Sequence, residues 1–105
     1  MIVLDREPQW WFLLQDGEAL LFDVNCSHSA VSYSWLMALN AEETARFKLD
    51  GRQFLNELAE EVQHSAPGAR GSTSAFLGRN ISGTRGQAVS EAVEAWLAGG
   101  GDANG

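Results

Sequence analysis

The N-terminal third of the chain contains two short apolar runs, Trp10–Leu14 and Ala19–Phe22, on either side of the pair Asp16-Gly17. Asp-Gly between two such runs is a strong hairpin signal, because the central positions of a tight turn need positive φ angles that Gly and Asp tolerate. With these two as the turn residues, Leu13 is predicted to lie opposite Leu20. The sequence therefore predicts two antiparallel strands in this region.

Both faces of the predicted hairpin are apolar. Trp10, Phe12 and Leu14 fall on the face opposite to that of Trp11 and Leu13, and the returning strand adds apolar residues to each side. Because a solvated antiparallel sheet alternates apolar with polar residues, each face of this sheet needs a cover. We expect helices to cover one face, and the long loop or a second subunit to cover the other. Trp10, Phe12 and Leu14 are therefore predicted interface residues for a protein partner or a homodimer.

A third strand and a short first strand are predicted on either side of the hairpin. Residues Val31–Leu39 alternate large side chains with serine and alanine, which is the cleanest period-two pattern in the chain. Met1–Leu4 is predicted to be a short edge strand before Pro8, which cannot donate to a ladder, and Asn25–Ser29 a polar connection. The N-terminal half is thus a three- or four-stranded antiparallel meander.

Helices are predicted in the C-terminal half. Asn40 and Glu43 match a capping box that starts a helix at Ala41, and the apolar face that follows is interrupted at Asp50-Gly51 before it continues. This pattern indicates two helices or one kinked helix. Apolar residues at helical spacing over Val89–Leu97 predict a last helix with one buried face.

The order of these elements predicts the α+β class, with the meander followed by two or three helices packed on one face of the sheet. A chain of 105 residues with 45% hydrophobic residues is expected to form a single domain over residues 1–98. That domain includes a long Gly/Ser-rich, Arg-bearing loop at residues 65–83. Residues 99–105 are predicted to be a flexible tail that begins with a run of glycines.

Charge is distributed unevenly along the chain. The formal net charge is −7, from 14 acidic and 7 basic residues, which argues against binding to the nucleic-acid backbone. The stretch 62–90 is the exception, because it contains Arg70, Arg79 and Arg85 and no acidic residue. Together with His28 and the N-terminus of the last helix, these arginines could hold a phosphate or carboxylate. The alternative is that they pair with the acidic surface of their own domain.

Cysteine and histidine content limits the chemistry open to the chain. Cys26 is the only cysteine, so no internal disulfide is possible, and the sequence has neither a charged-then-apolar leader nor an apolar run of membrane-spanning length. We expect a cytoplasmic location and no membrane association. Cys26 and His28 could form a thiol–imidazole pair, although a buried cysteine and a turn histidine are the commoner arrangement. The residue types predict no structural metal site, and no motif indicates a cofactor.

Two functions remain open from the sequence. The first is a small acidic, non-enzymatic protein-interaction module that binds through the second apolar face of the sheet and the Arg-bearing loop, or through its acidic helix faces. Proteins of this kind resemble, in general type, the inhibitor and immunity proteins that neutralise toxins and often cap basic active sites with acidic surfaces. The second is a small-ligand or anion-binding protein, or a minor enzyme, that uses Cys26, His28 and the loop arginines. The second function requires these side chains to converge on one pocket.

Overall fold

The computed structural model describes residues 1–8, 10–28, 31–65, 76 and 79–99, and the side chains of these residues except 27, 28, 31–33 and 82. The described residues form four strands and three helices. In chain order these are β1 (Ile2–Glu7), β2 (Trp11–Asp16), β3 (Ala19–His28), β4 (Val31–Ala38), α1 (Ala41–Asp50), α2 (Arg52–Ser65) and α3 (Ser82–Ala98). The strands form one antiparallel sheet in the order β1-β2-β3-β4. The predicted α+β class, an N-terminal meander followed by helices, is confirmed.

The turn between β2 and β3 lies one residue further along the chain than predicted. Asp16 is the last residue of β2 and pairs with Ala19. The turn residues are therefore Gly17, which has a φ of 63°, and Glu18. Leu13 consequently lies opposite Phe22, and the predicted pairing of Leu13 with Leu20 is wrong by two residues. Glycine alone supplies the positive φ at the first turn position, which leaves the aspartate in the strand. A shift of two residues leaves the strand residues on their predicted faces. Trp10, which precedes β2, is the exception, because it packs against the face of Trp11 and not against that of Leu14 as predicted.

Two strands are longer than predicted. β1 continues past Leu4 to Glu7, with an irregularity in its pairing between Val3 and Asp5. β3 continues through Asn25–His28, which was expected to be a connection, and this segment pairs with the start of β4. Polar residues are tolerated in these extensions because pairing with a neighbouring strand satisfies their backbone groups.

Both ends of α1 form as the sequence predicts. The Asn40 side chain accepts a hydrogen bond from the Glu43 backbone, and the Glu43 side chain accepts one from the Asn40 backbone, so the helix starts at Ala41. Gly51 ends α1 with a φ of 61°, a conformation that favours glycine, and donates to Phe47 O. The break separates two helices.

The main core lies between α2 and one face of the sheet. The Nε1 of Trp11 donates to Asn56 Oδ1 at 3.0 Å, which ties β2 to α2. The buried residues of this core are Trp11, Leu13, Phe22, Val24, Cys26, Trp35, Met37, Leu39, Phe54, Leu55, Leu58, Ala59, Val62 and Phe76.

A second, smaller core lies on the opposite face, beneath α3. Val89 of α3 packs there with Leu14, Leu21 and Leu36 of the sheet. The helices therefore divide between the two faces, whereas the sequence led us to expect them on one face. The physical reason is that the second face is itself apolar, and the C-terminal helix of the same chain covers it. Leu14 is 0% exposed, so its predicted place in an interface is wrong.

Parts of the predicted loop and tail lie outside the described residues. These are residues 66–75, 77 and 78 of the loop at 65–83, and residues 100–105 of the tail. Just before α3, Ile81 N donates a hydrogen bond to Leu36 O, which ties the start of the helix to β4. No helix in the described ranges combines the length and the apolar character that a membrane crossing requires.

Candidate functional site

An acidic side chain lies in the middle of the sheet face that α3 covers. Asp23 of β3 is flanked by Phe12 of β2 and Leu36 of β4, which are its partners across the two ladders. Alternation along β3 puts Asp23 on the same face as Leu21, which is part of the core beneath α3. A carboxyl group thus occupies a position where the neighbouring strands present apolar side chains.

A groove around Asp23 remains open between the sheet and α3. Small residues of the helix, Gly86 and Ser90, stand over this part of the sheet and leave space there. Two cavities of about 220 and 200 Å³ lie between the sheet and α3, and a third of about 310 Å³ adjoins them and is lined by residues of the sheet and Trp10; Asp23 lines all three. We call this feature the Asp23 groove; its lining residues are Trp10, Phe12, Asp23, Asn25, Ser34, Leu36, Gly86, Val89, Ser90, Val93 and Glu94.

The carboxyl group of Asp23 is uncompensated. Burial raises the pKa of Asp23 from 3.8 to about 6, and burial is the sole cause of the shift. No ion pair or hydrogen bond from the described residues offsets the loss of solvation. At neutral pH the group is still mostly ionised, with roughly ten carboxylates for each carboxylic acid. The groove therefore contains a partly desolvated negative charge, which is the state that a cationic ligand would stabilise most.

Aromatic side chains form one wall of the groove. Phe12 is half-buried and meets Trp96 edge to face, with 6.1 Å between the ring centroids. The Arg6 guanidinium lies 5.9 Å from the Phe12 centroid and 5.2 Å from that of Trp96. Trp10 lines the largest of the three groove cavities and also packs against the core on the α2 side. Its Nε1 is buried without an acceptor among the described residues. Two of the three predicted interface residues, Trp10 and Phe12, therefore line the groove.

Arg79 and Arg85 are engaged within the domain. Arg79 Nη2 lies 2.6 Å from Glu43 Oε1 and also donates to Ala38 O at 2.8 Å. Burial alone would raise the pKa of Glu43, but the hydrogen bond and charge of Arg79 and a backbone hydrogen bond lower it below its usual value. Arg85 Nη2 lies 3.2 Å from Asp16 Oδ2. Both arginines thus adopt the alternative that the sequence left open, pairing with acids of their own domain.

Those residues of the predicted anion site that the structure describes do not come together. Cys26 is 1% exposed, lies in the core on the α2 side and donates weakly to Val24 O at 3.8 Å. Arg79 donates to the backbone oxygen of Ala38, which lies opposite Leu21. Cys26 is five positions further along β3 than Leu21, a distance of roughly 17 Å. Arg70 and the side chain of His28 lie outside the described residues. Within the described ranges, no three His, Cys, Asp or Glu side chains cluster in a way that could hold a metal ion.

The sequence contains one signal for the groove. Asp23 follows Leu21 by two positions and so falls on the face of Leu14, Leu21 and Leu36, which is an unusual position for an unpaired acid. Its burial could not be inferred, because that depends on where α3 packs. Comparisons of the chain with protein-family models, with curated proteins and with solved structures found no match. The function is therefore inferred from the geometry and charge of the chain's own residues.

Proposed function

We propose that this protein is a non-enzymatic binding module that associates with a basic protein partner through its acidic surface. The observation that carries the proposal is the ion pairing of Arg79 and Arg85 with Glu43 and Asp16. These arginines are two of the four residues, with Arg70 and His28, that were expected to give the chain an anion site. Because they are neutralised within the domain, the charge left for a partner is negative.

Ion pairs elsewhere in the domain strengthen this argument. Arg52 pairs with Glu7 at 2.8 Å and approaches Asp5 at 3.9 Å. Arg46 and Glu57 form a looser pair at 3.8 Å. The acids without an ion pair among the described residues are Glu18, Asp23, Glu42, Asp50, Glu60, Glu61, Glu91 and Glu94. Most of them lie on the helices, so the helical surface offers a negative potential that attracts a basic partner and speeds its association.

The proposed role is closest to that of an inhibitor that caps a basic surface. A homodimer is not part of the proposal, because α3 supplies the cover of the second sheet face for which a second copy was invoked. The proposal includes a cytoplasmic location, which a buried free cysteine and the impossibility of an internal disulfide favour.

The test is capture of partners on the immobilised protein, followed by titration calorimetry with each purified partner. We expect a partner with a basic surface whose dissociation constant rises about tenfold or more when salt is raised from about 50 to about 300 mM. A variant in which Glu60, Glu61, Glu91 and Glu94 are all replaced by glutamine should lose most of this affinity. The matched control is Glu18→Gln in the hairpin turn, which removes one exposed acid that does not belong to a helix and should bind like the parent.

An acidic partner, or a basic partner whose affinity is insensitive to salt and to the four replacements, would contradict the proposal. Capture of a protein without these charge dependences does not support it. The measurement thus separates association through charge from nonspecific retention on the column.

A further inference from the structure

We propose that the Asp23 groove is the docking point for an arginine side chain of the partner, with the Asp23 carboxylate as its counter-ion. The inference rests on the proposed function and narrows it to one site and one kind of side chain. It depends on the charge, the shape and the hydrogen-bonding groups of the groove.

The charge of the groove is complementary to a cation. Asp23 lies at its centre and Glu94 lies at its rim on α3, and no described lining residue is basic. Arg6 is the basic residue on the same row of the sheet, but Phe12 of β2 separates it from Asp23. An incoming guanidinium would therefore meet one half-buried and one exposed carboxylate. Two carboxylates are too few to replace the six to eight oxygen ligands of Ca²⁺, so an organic cation fits the groove better than a metal ion.

The shape favours a flat side chain. The largest of the three cavities of the groove, about 310 Å³, has room for one inserted side chain beside Asp23. Its wall contains Phe12 and Trp10, and a guanidinium stacks on such rings more readily than the compact ammonium of lysine. The Arg6 guanidinium already lies near the Phe12 and Trp96 rings, which shows that this aromatic cluster accepts one.

The hydrogen-bonding groups also match. A guanidinium carries five N–H donors and no acceptor, so it needs several oxygen atoms around it. The Asp23 carboxylate can accept two of these hydrogen bonds, and the hydroxyl groups of Ser34 and Ser90 line the same groove. Arginine is therefore the basic side chain that best matches the groove in its positive charge, its planar shape and its number of N–H donors.

The experiment uses nitrogen-15 NMR titration of the full chain with a pentapeptide that has arginine at its centre and alanine and glycine around it. We expect saturable shifts in the amides of Phe12, Asp23, Ser34, Gly86 and Ser90. The same peptide with citrulline, the uncharged isostere, should give no saturable shifts. The lysine peptide should bind at least about threefold more weakly.

Asp23→Asn is the decisive variant, because it removes the charge and keeps the shape. It should weaken binding of the arginine peptide by about tenfold or more. Glu18→Gln is the control and should bind like the parent. N-acetyl-arginine amide is a further arm: weaker binding of the amide than of the peptide supports a protein segment as the ligand, whereas equal binding points to a small guanidine and overturns the proposal.

The outcomes separate this inference from the proposed function. If a basic partner binds with strong salt dependence and Asp23→Asn leaves its affinity unchanged, the groove is not the docking point and the proposed function stands. If the arginine peptide shifts amides distant from the groove, or binds the asparagine variant equally well, the inference fails. Thermal unfolding of Asp23→Asn confirms that the variant is folded before either result is interpreted.

Discussion

Replacing Asp23 with asparagine removes a negative charge from the groove with little change in shape, and its effect on stability follows from the pKa. Burial raises that pKa from 3.8 in the unfolded chain to about 6 in the folded one. Each pKa unit corresponds to about 1.4 kcal/mol, so the ionised carboxylate destabilises the folded protein by about 3 kcal/mol. The penalty is absent below the unfolded pKa, grows as the pH rises toward the folded pKa, and is complete above it. We therefore expect Asp23→Asn to raise the free energy of unfolding by up to about 3 kcal/mol at neutral pH.

The assay is urea unfolding followed by tryptophan fluorescence, at several pH values from below the unfolded pKa to above the folded pKa of Asp23. The difference in unfolding free energy between variant and parent should be small at the acid end and level off near neutrality. Glu18→Gln removes an acid from the exposed turn and should stay within about 0.5 kcal/mol of the parent. A pH-independent difference between Asp23→Asn and the parent, or a variant less stable than the parent at neutral pH, would refute the reasoning.

Three further predictions concern the fold around the groove. Arg79→Ala should lower the free energy of unfolding by about 1–3 kcal/mol at neutral pH, and the loss should shrink as acid protonates Glu43, whose pKa is lowered in the folded state; urea unfolding against pH measures it. Leu14→Ala should cost roughly 2–5 kcal/mol in thermal unfolding, since the side chain is wholly buried beneath α3; a near-neutral effect would mean that α3 does not cover this face. Gly51→Ala should destabilise by about 1 kcal/mol because of its positive φ, whereas Gly83→Ala, in α3 with open space around it, should be neutral or stabilising in the same measurement.

Ionised Asp23 lowers the free energy of unfolding, and this destabilisation supports a functional interpretation of the groove. An asparagine or an apolar residue at this position would fit the sheet face with less penalty than an unpaired carboxylate. Residues that lower stability without a compensating contact are most often found where function requires them. A bound guanidinium would supply the missing compensation, so binding and stabilisation of the fold should occur together.

Local patterns in the sequence predicted most of the secondary structure. The capping box of Asn40 and Glu43 starts α1 where expected, and Asp50-Gly51 ends it, because both signals depend only on neighbouring residues. Alternation placed the described core residues of β2, β3 and β4 on the correct faces, whereas Trp10, which precedes β2, packs on the α2 side and not on the predicted one. The hairpin register was missed by two residues, since the position of Gly17 in the turn depends on which pairing the rest of the sheet accepts.

The sequence by itself determined the element order, the acidic surplus and the apolar character of both sheet faces, since these are properties of short stretches and of composition. The tertiary structure alone decided that α3 would cover the second face, that Arg79 and Arg85 would be neutralised by Glu43 and Asp16, and that Asp23 would be partly buried. These outcomes depend on contacts between residues far apart in the chain. No local pattern encodes such a contact, because the free energy that selects it arises only when the whole domain packs.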